Sequence, residues 1–145
     1  MIDIFSLSIE EMASKIKEGQ LTSVEVCEKY IERINKFEKD IKAWAHFDKK
    51  ILLEKANDAD EYRTYEKGFL SFLKKHNGSF ITFDDSPTCL EGDNPKQFDR
   101  VILFSFPSEQ DADNWWNDNG YQDLSKHRRA GAEITLQRVK GMASR

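Results

Sequence analysis

Apolar residues recur along this chain at two different periods, and the switches between periods mark out its elements. Ser8 followed by Glu11 forms a capping box, in which each side chain satisfies a free backbone N–H of the other, and Leu7 and Met12 can staple across it. Gly19 then supplies the left-handed stop. Thr22 with Glu25 repeats the box and Leu21 with Val26 repeats the staple. Behind them Val24, Cys27, Ile31 and Ile34 fall on one helical stripe. Residues 1–41 are therefore predicted to form a helical hairpin.

The period then changes to two. KAWAHFD, residues 42–48, places Trp44 and His46 on one side and Ala43, Ala45 and Phe47 on the other, as in a half-buried strand. A helix follows, with Asn57-Asp58 as a point where it can break. In it Tyr62, Tyr65, Phe69, Phe72 and Leu73 recur at three- and four-residue steps up to an Asn77-Gly78 stop. SFITF reads as the second strand, and DDSPTCLEGDNPK has the chemistry of a long connection. RVILFSF, residues 100–106, is the most apolar strand and the expected sheet centre. Pro107-Ser108 ends it and opens a helix from about Glu109 to Arg129, and residues 133–139 alternate again as a fourth strand.

The order from residue 42 onward is thus βαββαβ. Two right-handed crossovers of this kind give the ferredoxin-like plan: an α+β fold with a four-stranded antiparallel sheet and both helices on one face. The domains expected are a hairpin extension at 1–41 and a ferredoxin-like domain at 42–145. The sheet's other face is left bare, and a second copy covers such a face most simply, because a two-fold axis makes a patch complementary to itself. A homodimer forming an α/β barrel is the expectation.

Composition narrows the function classes. The 22 basic and 26 acidic side chains are mixed along the chain, so no extended positive field awaits nucleic acid. The basic run Lys126, His127, Arg128 and Arg129 reads as a solvated helix end favoured by the C-terminal dipole. Two cysteines far apart, Cys27 and Cys89, form no framework and read as reduced thiols of a cytoplasmic protein, with Cys27 a packed small residue. No run approaches the roughly 18 apolar residues of a membrane span, so no membrane partner is expected.

Two resemblances meet in this sequence. LSIEEMASKIKEGQLTSVEVCEKYIERINKFEKDIKAWAHFD, continuing to about Asp60, resembles the N-terminal segment of the amidase signature family, which also has two capped helices followed by a strand ending in Asp. That family acts through a serine in a Gly-Ser-rich loop, with a second serine and a lysine. No Gly-Gly-Ser-Ser occurs here, so amidase activity is not expected. The remainder resembles a bacterial family of small dimeric α/β-barrel proteins known as domain of unknown function 1330. The resemblance is carried by YRTYEKGFLSFLKKHNGSF from Tyr62 to Phe80, by Leu90 to Gly92, by Phe106 to Ser108, and by the spacing of Tyr121, Arg128 and Gly141. It implies that KAWAHFD serves as the family's first strand. Two positions depart from the family pattern: Asn77-Gly78-Ser79 replaces Gly-Gly-Arg, and Ser105 replaces an acidic residue.

That second resemblance implies no established reaction. The residues that could carry one are His46 on the first strand, Ser105 on the third, Tyr121 and Arg128 on the last helix, with Glu91 and Trp116 as ligand contacts. An imidazole, a phenol and a guanidinium in one cleft could orient a small organic acid and move its proton. Each also has a plainer role: His46 at a dimer interface, Tyr121 and Arg128 bracing the last strand, and one of Trp115 and Trp116 covering the core. Asp84, Asp85, Glu91 and Asp93 match no calcium loop, and His46, His76 and His127 lack zinc spacing, so neither a metal nor a cofactor is expected. Two function classes stay open. One is a small-molecule barrel; the other is a non-catalytic assembly module using the hairpin.

Overall fold

The fold is described from a computed structural model for residues 2–92 and 100–141. Both capping boxes form. Ser8 Oγ accepts from Glu11 N while Ser8 N donates to the Glu11 carboxylate, starting α1 (Ile9–Lys17). Thr22 and Glu25 do the same for α2 (Ser23–Ile41). Gly19 turns the chain between them with φ +78°, a conformation open to glycine at no steric cost. The Asp60 carboxylate reinforces the second start, accepting from Ser23 N at 2.9 Å and Val24 N at 3.0 Å. Cys27 sits half-buried on α2, and burial, followed by the nearby Asp60 charge, pushes its thiol pKa up.

The segment expected as the first strand is irregular instead. Lys42 takes a left-handed conformation (φ 50°) that closes α2, and Trp44 N donates back to the Glu38 carboxylate at 2.8 Å. At its other end Asp48 Oδ1 accepts from Lys50 N and Ile51 N, opening the next helix. No strand forms over these seven residues. The alternation of Trp44 and His46 is real in the sequence, but local hydrogen bonds outcompete it.

Helix α3 (Lys49–Lys75) runs unbroken through Asn57-Asp58. The propensity cost of those two residues is only a few tenths of a kcal/mol each, too little to interrupt a helix of this length. It ends in a Schellman motif: Gly78 N bonds Leu73 O at 2.8 Å and Asn77 N bonds Lys74 O at 3.1 Å. Asn77, at φ 59°, occupies the left-handed position, and Gly78 follows it.

Strands β1 (Ser79–Asp84) and β2 (Val101–Ser105) pair antiparallel, with a bulge at Ile81 between the Phe80–Phe104 and Thr82–Leu103 pairs. The sheet has these two strands rather than four among the described residues. Residues 133–139, expected as a fourth strand, are exposed and without regular structure. The long connection has none over residues 85–92, and its remainder, with Asp93, lies outside the described residues.

The single helix expected after Ser108 is two: α4 (Glu109–Trp116) and α5 (Asn119–Gly131). Asn117 explains the break, because its side-chain amide donates to Asp113 O at 2.9 Å, and Asp118 then caps the restart by accepting from Tyr121 N at 3.1 Å. Of the paired tryptophans, Trp115 is buried and Trp116 is 41% exposed, one inward and one outward.

The chain divides into two compact units. One comprises the chain up to Thr64 together with the segment from His127 onward; the other is Tyr65–Lys126. In the first, Ile4, Leu21, Ile31 and Ala56 are buried, and His127 Nδ1 meets the Glu61 carboxylate at 2.6 Å. In the second, an aromatic core gathers around Trp115, whose ring lies 4.1 Å from Tyr121, 5.3 Å from Phe104 and 5.4 Å from Phe106.

Candidate functional site

Sheet geometry decides which side chains of the second unit are available to a partner. Phe104 packs on Phe69 at 5.4 Å and on Trp115, so it faces the helices. Residues directly opposed across a sheet share a face, and successive residues alternate. Phe80 and the Phe83–Ile102 pair therefore share the helix side with Phe104, while the Thr82–Leu103, Asp84–Val101 and Ser79–Ser105 pairs look the other way. That outer face is open: Leu103 is 51% exposed, and Ile81 in the bulge is 59% exposed. Arg100 closes one end of the sheet, bonding Asp85 and Glu66 with its guanidinium 5.6 Å from the Phe83 ring. Partial burial works against its charge, but the two carboxylates outweigh this and its pKa is raised.

At the C-terminal end of α3 a polar cluster forms around Asp118. Lys75 Nζ lies 2.7 Å and His76 Nε2 2.8 Å from the same carboxylate oxygen, while the other oxygen caps α5. Beside it Asn77 Nδ2 donates to Asp111 at 2.9 Å, and Ser108 bonds the same carboxylate. Hydrogen bonds from Lys75 and then His76 hold the Asp118 pKa well below the usual carboxylate range, and those from Ser108 and Asn77 lower that of Asp111. Histidine spacing did not single out His76. The available signal was Lys75-His76 at a helix C-terminus together with Asp118 three residues before Tyr121, a cap position.

A depressed carboxylate pKa adds stability above its unfolded value, near 3.9, and that stability is lost as pH falls through the folded value. Stability should therefore decline on acidification below about pH 4. Asp118→Asn should flatten that acid limb and lower stability at neutral pH. Urea midpoints between pH 2 and 7 test this; an unchanged acid limb in the variant would contradict it.

The six residues singled out in the sequence are distributed between the units. His46 lies exposed in the irregular segment 42–48, and Arg128 is buried on α5; both belong to the first unit. In the second unit Tyr121 has no exposed surface and its hydroxyl is 3.4 Å from that of Tyr65. Trp116 packs 6.3 Å from Tyr121. Ser105 is exposed on the outer sheet face, and Glu91 lies exposed in a bend where its carbonyl accepts from the Cys89 thiol. A separate groove of about 800 Å³ in the first unit is lined by Glu28, Ile31, Glu32, Leu53 and Glu54 among others, and by none of the six. Among the described residues no group of three or more His, Cys, Asp or Glu side chains is arranged to hold a metal, and no helix is long and apolar enough to cross a membrane.

These elements define an α+β protein of five α-helices and a two-stranded antiparallel sheet among its described residues. The chain belongs to the family described as Domain of unknown function (DUF1330), whose model matches residues 50–142. The match begins after the irregular segment 42–48, which does not form the family's expected first strand here. The chain is also similar to a glutamyl-tRNA(Gln) amidotransferase subunit from Streptomyces coelicolor, 38% identical over 63 residues that make up 43% of this chain and 13% of that protein. The corresponding amidotransferase subunit from Streptomyces avermitilis is 34% identical over 62 residues, 43% of this chain and 12% of its own. The chain thus spans only a small part of either relative, in keeping with the resemblance of its N-terminal helices to the amidase signature family. No solved structure gives a significant match.

Proposed function

We propose that this protein is a self-associating member of its family, a homodimer in which the outer sheet faces of two copies pack together and enclose a site for a small organic acid. The observation that carries this reading is the exposure of Ile81, Leu103 and Val101 on the outer face of β1 and β2, while Phe104 on the opposite face packs on Phe69 and Trp115. A two-stranded sheet is marginal by itself, and a contiguous apolar face marks an interaction surface. A two-fold axis through that face sets Leu103 and Ile81 of each copy against the other's.

Two further features support association between copies. The outer edges of β1 and β2 have no strand partner among the described residues, and residues 133–139 keep a strand's alternation while Ile134 and Leu136 stand exposed. Ser105 and Ser79, opposed at one end of the bare face, offer hydroxyls to an enclosed carboxylate.

Leu103→Asp tests the proposal. Its side chain is half exposed, so the fold should survive, while two carboxylates buried opposite one another should prevent pairing. Size-exclusion chromatography with light scattering should show the parent at twice the 16.9 kDa chain mass and the variant at the single-chain mass, with unchanged circular dichroism. A variant that keeps the parent's dimer mass would falsify the assignment of this face. Native mass spectrometry of the same samples reads any small acid carried through purification, and its retention by the monomeric variant would place the ligand elsewhere.

A further inference from the structure

We draw no further inference here: the strongest candidate, the apolar stripe of α2 formed by Tyr30, Phe37 and Ile41, with the Arg33 guanidinium stacked over Phe37 and Phe5, is an unpartnered face, and nothing in the structure shows what covers it.

Discussion

Replacing Tyr121 with alanine should lower the unfolding free energy by about 3–5 kcal/mol, the cost of deleting a large aromatic side chain from a packed interior. Tyr121 has no exposed surface, and its ring stacks 4.1 Å from Trp115 with the Phe72 edge at 6.2 Å. Removing it leaves a hole bounded by rings that are themselves held by Phe69, Phe104 and Phe106, so collapse around the gap is restricted. Tyr121→Phe separates packing from chemistry. The hydroxyl contact to Tyr65 is long at 3.4 Å, and its loss should cost about 1 kcal/mol. Urea unfolding of both variants checks the pair of values. An alanine variant within about 1 kcal/mol of the parent would show that the aromatic core is not packed as described.

Gly131→Ala should cost about 2 kcal/mol although alanine is the better helix former by about 1 kcal/mol. A methyl group at this position would stand 2.4 Å from Asp58 O and 2.5 Å from Tyr62 N, both backbone atoms of α3. Backbone cannot rotate out of the way, so the two helices would have to move apart and loosen the first unit. Gly68→Ala is the control: the nearest atoms to its methyl would be in the side chain of Leu124, whose terminal carbons lie at 2.7 and 2.9 Å, and a change of rotamer can relieve that contact. Denaturant midpoints should rank Gly131→Ala well below Gly68→Ala. The reverse order would contradict the close approach of α5 to α3 at Gly131.

Helix starts were legible because the signal is local: Ser8, Thr22 and Ser108 each accept from the backbone N–H three residues on, as their spacing requires. The Asn77 stop and the two segments that form β1 and β2 were legible for the same reason. What was misread depended on competition. Residues 42–48 and 133–139 alternate like strands, yet a strand needs a neighbour, and no periodicity reveals whether the end caps of Lys42 and Asp48 will win. The split between α4 and α5 turns on one amide, Asn117, bonding its own helix.

The site was less legible than the fold. Tyr121 stood out as a phenol, but its burial depends on rings from Phe72 to Trp116 meeting in space. The Asp118 cluster joins residues 42 and 43 positions apart, a pairing no local pattern encodes.

Sedimentation velocity of the protein over a dilution series tests the central claim most directly. Burial of the Leu103 face between two copies predicts a single species at twice the 16.9 kDa chain mass at high concentration, with a reversible shift toward the monomer on dilution. A sharp monomer boundary at every concentration would contradict it and leave the outer sheet face without the partner assigned to it.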